Sequence, residues 1–540
     1  MAFTPRKLQI AHADLWLTAS WLGLLAIVVL APRLALDSGL SFDEEMQRIY
    51  GDLILAWYRS DFQERGALSY WNLYLYGGLF DLTAQWVVSL NVLPWGVYET
   101  RHALTALTAV AGVVATWKTA AKLGGPAAGF CAALMLALTP AWVGHGFFNP
   151  KDIPFGAAAA FVMYASVSIA LRESVLRWGD ALRAAVAIGL ALAVRPGGMF
   201  LGLFPVIAAF GRLAIDEAVR APRAGIPSLL RAASVVSVRL ACMLPVVWSL
   251  MLSAWPWAQL EPLKRPFEAE RIAAHFRWHG EMLFDGQMIR GGDAPLRYLP
   301  VWFARTLPET YWLAAAAGLY CVIAALASRR LDRPRALGIA CIALFVLVPY
   351  AGVIVRRPTL YDAHRHFLFV LPALGALAGI AVCAAAKHPS IPLRIRVAGV
   401  AVWAALAAFV AFDMRALHPY EYVYFNRASG GLPAALGKFE TDYWGVSFQE
   451  GFDWVVHNIQ PREPGTPVKV SSCKRSPGRW QLNYLREHWH LSDRFTIMKY
   501  EDEGDVYLGF TRGACQARPG EILHKVERQG VPLLYVLRHW

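Results

Sequence analysis

Apolar residues come in long unbroken runs, separated by short polar segments. About 20 apolar residues in a helix, at 1.5 Å each, cross the roughly 30 Å of hydrocarbon in a bilayer. Runs of that kind occupy 14–34, 98–117, 126–145, 154–171, 233–256, 309–328, 336–355, 366–386 and 396–413. The stretch 181–211 is too long for one straight span, and Arg195, Pro196, Gly197 and Gly198 interrupt it. Splitting there predicts two short helices, 181–194 and 198–211, each about 20 Å long. The pattern as a whole predicts eleven spans.

Loop charge supports that count. With eleven spans, the loops on one side carry Lys118 and Lys122; Arg172, Arg177 and Arg183; Arg212, Arg220, Arg223, Arg231 and Arg239; Arg329, Arg330, Arg333 and Arg335; and Lys387, Arg394 and Arg396. Arg6 and Lys7 put the N-terminus on the same side. Cationic loops stay cytoplasmic. One long span over 181–211 would move the Arg-rich 212–239 loop outside and invert every later loop. The outer side then holds the loop 35–97, the short loop 145–154, the loop 257–308 and the tail from about 414.

Composition agrees. Of 540 residues, 56% are hydrophobic and 17% charged, against about 25% charged in soluble chains. The 21 Trp and 20 Tyr suit interfacial belts. The net charge of +13 lies in short loops between apolar runs, not in one patch, which argues against nucleic acid. No small-residue cleavage site follows the first apolar run, so it reads as a retained span. The chain divides into a transmembrane part, 1–413, and an outer tail, 414–540. The tail reads as mixed α/β, with a helix over 446–459 and strands near 467–471, 495–499, 505–510 and 531–537. Cys131, Cys242, Cys321, Cys341 and Cys383 lie in apolar runs as small hydrophobes. Cys473 and Cys515 lie in the tail, where an oxidising compartment would permit a disulfide.

The candidate chemistry lies in the outer segments. Ser41, Phe42, Asp43, Glu44 and Glu45 follow the first span. Met46, Ile49, Leu53, Ile54 and Trp57 then mark an amphipathic helix. Ser41 and Glu44 match a capping box, so the acids suit a helix start. They also suit a surface helix that holds Asp43 at the mouth of a cavity, where a carboxylate accepts a proton from a hydroxyl. Next come His145, Asn149, Pro150, Lys151, Asp152 and Pro154, either a polar turn or a phosphate or metal site. The third cluster is Arg356, Arg357, Tyr361, Asp362, His364, Arg365 and His366. Its arginines, on the outer side, either snorkel to the interface or receive a phosphate. Arg195 is the fourth candidate, near the outer end of its short helix. His275 and His279 have helical i, i+4 spacing without a second ligand pair, a weak metal signal. No GxGxxG, Walker A or nucleophile-elbow motif appears in a strand–turn–helix setting.

These segments resemble a known family. Phe42-Asp43-Glu44, Asn149-Pro150-Lys151-Asp152-Ile153-Pro154-Phe155, Trp255-Pro256-Trp257, His364-Arg365-His366-Phe367 and the run from His418 to Asn426 look like the C-type glycosyltransferase (GT-C) fold. That group includes protein O-mannosyltransferases and bacterial aminoarabinose transferases of lipid A. The resemblance implies inverting transfer from a polyprenyl-phosphate sugar. It makes Asp43 the catalytic base and Asp152 an acid near the donor or a cation. Arg365, Lys151, His364 and Arg195 are the expected contacts of the donor phosphate, and Glu44, Asn149 and His366 support them. A bound divalent ion is the alternative source of positive charge. The expected acceptor is a lipid, a glycan or a protein, and the lack of a long β-trefoil insertion in 257–308, unlike the protein O-mannosyltransferases, weighs against the protein. A bacterial inner membrane suits the Ala- and Arg-rich composition. A multi-spanning lipid or sugar transporter or flippase is the rival reading. Against it, the halves show no repeat and only one broken helix.

Overall fold

The computed structural model describes residues 5–172, 176–220, 226–328, 332–473 and 478–538. Arg223, Arg329 and Arg330, counted above among the loop charges, lie outside the described residues. So do the side chains of Arg6, Lys7 and Arg220.

The chain is a polytopic helical membrane protein with a small sheet-containing C-terminal region. Its first part runs α1 (Pro5–Ala35), α2 (Glu44–Arg59), α3 (Leu79–Ser89), α4 (Val97–Gly124), α5 (Pro126–Ala137), α6 (Pro140–Phe148), α7 (Asp152–Ala170), α8 (Trp178–Leu192) and α9 (Leu203–Arg220). Then come α10 (Ile226–Ala241), α11 (Leu244–Leu252), α12 (Pro256–Gln259), α13 (Arg265–Ala274), α14 (Tyr298–Thr306), α15 (Glu309–Ala327), α16 (Arg333–Arg356), α17 (Leu371–Lys387) and α18 (Leu393–Leu417). Among the described residues nine helical segments are long and apolar enough to span, or ten if α5 and α6 act as one. The eleventh expected span, α8, is helical but only 15 residues long.

Two expectations need correction. The run 126–145 is not one straight span. Pro140 cannot donate to the carbonyl a turn earlier, and the chain bends by 63° between α5 and α6. The break at Arg195 is real but asymmetric: α8 stops at Leu192 and a 3-10 turn, Pro196–Gly202, leads into α9.

Helix α7 is the centre of the bundle. Of its apolar window 89% is buried inside protein, against 11% for α1 and 17% for α15 and for α18. Small residues make this close packing feasible. On α7, Ala157, Ala159, Ala160 and Ala165 are buried, and Gly156 lies against Trp142. The peripheral helices expose Leu319, Val322 and Phe412, as lipid-facing helices do.

Between α13 and α14 the chain forms a hairpin, β1 (Glu281–Phe284) and β2 (Gln287–Arg290). In the C-terminal region, β3 (Val468–Ser472), β4 (Phe495–Ile497), β5 (Val506–Phe510), β6 (Glu521–Arg528) and β7 (Val531–Arg538) form one mixed sheet. Its order is β4-β3-β5-β7-β6, with β3 parallel to both its neighbours and β7 antiparallel to both of its own. The helix Phe448–Asn458 buries Phe448, Phe452 and Val455, and β7 buries Leu533, Leu534 and Val536. The four expected strands and the expected helix are present. The edge strand β6 is not marked in the sequence because only Val526 of its residues is buried, so it lacks the alternation of a half-buried strand. The helix Gly478–His488 also went unpredicted. Cys473 and Cys515 form a disulfide.

Candidate active site

At one end of the bundle, distant stretches of chain meet around a cavity of about 1280 Å³. Asp43, Lys151, Arg195, Arg365 and His366 all line it. Tyr76, Trp278, Tyr361 and Trp444 give it aromatic walls, and Phe510, Arg512 and Cys515 close it from the C-terminal region.

Asp43 sits immediately before α2, at its N-cap. An N-cap aspartate ordinarily accepts a backbone N–H of the first turn, worth about 1 kcal/mol. Asp43 makes no such bond. Its carboxylate faces the cavity, and only its carbonyl serves the helix, accepting from the Gln47 N–H at 3.1 Å. The capping box is half formed. Glu44 accepts the Ser41 backbone N–H at 2.6 Å, but the Ser41 hydroxyl has no partner, because the helix begins at Glu44 and not two residues earlier. The other Glu44 oxygen lies 2.6 Å from His102 Nε2. Glu44 is therefore buried beneath α2, outside the cavity lining.

Phe42 fixes the approach to Asp43. Its N–H donates to the Trp444 carbonyl at 3.2 Å, and its ring meets Phe510 edge-on at 5.3 Å. The close approach needs Gly445, whose φ is +65° and where a Cβ would lie 2.2 Å from the Phe42 ring. The C-terminal region thus braces the loop that carries Asp43.

The basic wall is built on a buried aspartate. Asp152 lies 2.9 Å from Arg195 Nη1 and 3.4 Å from Arg365 Nη1. Asn149 holds Asp152 from behind: its Oδ1 accepts the Lys151 and Asp152 backbone N–H groups at 3.2 and 2.9 Å. That fixes Nδ2 as the donor to Asp152 at 3.0 Å and to His145 Nδ1 at 3.1 Å. With Nδ1 accepting, the His145 proton sits on Nε2 and is donated to the Tyr443 hydroxyl at 3.0 Å. Asn149 and Asp152 are thus not among the residues lining the cavity. Asp152, expected as an acid near the donor or a cation, does not itself line the cavity, and both its oxygens face arginines.

Lys151 points into the cavity with its Nζ 3.4 Å from the centroid of the Tyr76 ring. Burial, reinforced by Arg195, holds the ammonium below its ordinary pKa, while Asp43 and Asp152 act against that. The Tyr76 phenol is lowered in turn, chiefly by Lys151. His366 lines the cavity and packs edge-on against Tyr361 at 4.7 Å. His364, expected at the donor phosphate, is not among the lining residues. It turns away, packed on Phe303 at 4.9 Å and 3.4 Å from the Thr306 hydroxyl.

Two further residues of the site were not singled out from the sequence. Asp362, buried, pairs with Arg365 Nε at 3.0 Å and with Arg512 Nη2 at 2.8 Å, and accepts from Trp444 Nε1 at 3.1 Å. Asp362 and Ala363 both have left-handed φ, 55° and 57°, a conformation rare outside glycine. That backbone turn directs Asp362 inward. Arg512 comes from the C-terminal region and lies over the Trp278 ring at 5.2 Å. No sequence motif marks it. Asp362 stood within the third cluster, but nothing distinguished it there from the flanking residues. Among the described residues no group of three or more His, Cys, Asp or Glu side chains is placed to hold a metal ion. His275 and His279 do not share a helix, because α13 ends at Ala274.

Comparison with known proteins bears out the family resemblance. Residues 84–248 match the family described as dolichyl-phosphate-mannose-protein mannosyltransferase. No curated protein matches the sequence. Among solved structures, ArnT from Cupriavidus metallidurans bound to undecaprenyl phosphate is similar at 14% identity and a TM-score of 0.48, over 96% of this chain and 98% of that one. Its apo state gives 14% identity and a TM-score of 0.47 over the same shares. The archaeal oligosaccharyltransferase AglB from Archaeoglobus fulgidus, with an inhibitory peptide and a dolichol-phosphate, gives 13% and 0.45, over 89% of this chain and 64% of that one.

Proposed function

We propose that this protein is an inverting membrane glycosyltransferase that moves a sugar from a polyprenyl-phosphate donor to an acceptor hydroxyl at the outer face of the membrane. In a bacterium that face belongs to the inner membrane. One observation carries the reading: Asp43 shares a single cavity with Lys151, Arg195 and Arg365, although these residues come from four separate stretches of chain. The match of 84–248 to the mannosyltransferase family supports the same chemistry. On this reading residues 1–413 form the catalytic transmembrane domain and 414–540 an outer domain that closes over it.

The geometry supports the following roles. Asp43, unengaged by its helix, accepts the proton as the acceptor oxygen attacks the anomeric carbon. The new C–O bond forms as the bond to the phosphate oxygen breaks, and polyprenyl phosphate leaves with the electron pair. A phosphate needs no strong general acid. It needs charge stabilisation, supplied by preorganised cations in a site shielded from water. Arg365, Arg195 and Lys151 are placed to supply it. Arg365 and Arg195 are held by Asp152 and so reorganise little during the reaction. His366 supports the wall beside them. A divalent ion, if one takes part, would add charge at the same phosphate.

The acceptor is a lipid, a glycan or a protein, and the sugar a hexose or a pentose. Labelled polyprenyl-phosphate sugars, incubated with the purified protein and a panel of acceptors, identify both. Asp43→Asn should lower turnover about 10²- to 10⁴-fold, the usual worth of a positioned base, while donor binding stays within about twofold. Near-normal turnover in Asp43→Asn would remove Asp43 from the mechanism. No observation among the described residues favours a transporter or flippase.

A further inference from the structure

The charges at the cavity form a chain. Arg195 pairs with Asp152, Asp152 with Arg365, Arg365 with Asp362, and Asp362 with Arg512. The first four members are two arginines and two aspartates, whose charges cancel. An anion approaching that quartet alone would meet cations already neutralised by buried carboxylates. Arg512, the fifth member, is the only one of these contributed by the C-terminal region, where it also lies 3.5 Å from Glu440, whose carboxyl burial pushes up to about 7.

Its placement is specific. Arg512 Nη2 lies 2.8 Å from Asp362 Oδ1, while Asp362 Oδ2 takes Arg365 Nε at 3.0 Å and Trp444 Nε1 at 3.1 Å. Arg512 Nη1 donates to the Tyr443 carbonyl at 2.6 Å, and its guanidinium lies over Trp278. The Trp278 ring is itself stacked on Tyr361 at 4.7 Å. Arg365 Nη1 donates to Asp152, and its Nε lies 3.0 Å from Asp362 as an ion pair without a hydrogen bond. That leaves Nη2 as the nitrogen to meet a ligand in the cavity it lines. Where one carboxylate is shared between two guanidiniums, each keeps more of its charge for other partners.

We propose that Arg512 is a positioning residue of the donor site: by binding Asp362 it leaves Arg365 with charge to spare for the anionic group of the donor. The C-terminal region thereby sets the affinity of a site built otherwise from the membrane helices. The inference rests on the donor reading above.

The test uses the full-length protein in nanodiscs and undecaprenyl phosphate as the probe, with binding measured calorimetrically. Arg512→Met should weaken binding about tenfold, the scale on which lost supporting partners act on a ligand-holding group. Arg512→Lys should recover part of the loss. The decisive variant is Arg512→Met combined with Asp362→Asn, which removes the buried carboxylate together with its partner. It should bind at least as tightly as the wild type, because Arg365 then faces no uncompensated Asp362. A purely structural role for Arg512 would give no such recovery, so a double variant as weak as Arg512→Met overturns the proposal. So does Arg512→Met binding as the wild type does. If Arg512→Met fails to fold, the double variant, in which Arg365 keeps its partner Asp152, carries the test alone: binding well below wild type overturns the proposal. Wild-type protein that binds no undecaprenyl phosphate defeats the donor reading itself, a distinct outcome.

Discussion

A carboxylate placed to cap a helix but not doing so is a small local loss, and Asp43 shows one. The uncapped N–H groups of α2 cost about 1 kcal/mol. In return the Asp43 carboxylate meets the cavity. Glu440 has a different environment. It is buried, 3.5 Å from Arg512 Nε, and burial pushes its carboxyl up to about 7 despite Arg512. A carboxyl with a raised native pKa binds its proton more tightly folded than unfolded. Its contribution therefore favours the fold at low pH and is lost as pH rises from about 4.5 towards and past 7. Glu440→Gln should abolish that loss, a gain on the order of a few kcal/mol at most at pH 8. Thermal unfolding in detergent at pH 5 and pH 8 checks it: the variant should gain on the wild type at the higher pH. At this scale the sequence was informative for Asp43, Lys151, Arg195 and Arg365, because charged residues at the ends of apolar runs stand out. It was silent on which oxygen of Asp152 meets which arginine, and it misplaced His364. A residue number fixes a position along the chain but not the direction of a side chain.

Elements place these groups. The turn Asn149–Lys151 starts α7 at the cavity, the 3-10 turn after Arg195 starts α9 there, and a 3-10 turn beginning at Arg365 leads into α17. In each case a polar residue lies where a helix begins, and the turns that follow it are apolar. The loop before α2 has no such anchor of its own and relies on the C-terminal region through Phe42 and Gly445. Gly445→Ala should push Phe42 aside and move Asp43. Turnover should fall about tenfold or more, since a displacement near 1 Å from the reacting atoms costs up to about 10²-fold. Donor affinity should fall less, because Lys151, Arg195 and Arg365 themselves stand on other elements. Comparing kcat with the dissociation constant for undecaprenyl phosphate separates the two effects; an equal loss in both would disprove this bracing role. The amphipathic α2 was legible from its spacing, whereas the bend at Pro140 was not, since the apolar run continues through it.

For the whole molecule, the bundle and the C-terminal region close one cavity between them. Cys515 lines that cavity and is bonded to Cys473 at the end of β3. Replacing both cysteines by serine should destabilise the C-terminal region by about 2–4 kcal/mol, the usual worth of a native disulfide. Faster hydrogen exchange in 468–538, with the bundle helices unchanged, would report it. Protection equal to the wild type would show the sheet to be self-sufficient.

The sequence alone determined that the chain spans a membrane many times, roughly where each span lies, and which polar segments escape the apolar runs. Those are properties of local length and composition, because crossing hydrocarbon demands about 20 apolar residues in a row wherever they occur. The tertiary structure alone decided that Asp152 stands behind two arginines, that Asp362 links Arg365 to Arg512, and that a strand-rich tail supplies part of the cavity wall. Buried ion pairs join residues up to 213 positions apart, as in Arg365 with Asp152. Their partners are selected by how helices and sheet pack and by the cost of leaving any charge unpaired away from water, and neither is written in the spacing of residues along the chain.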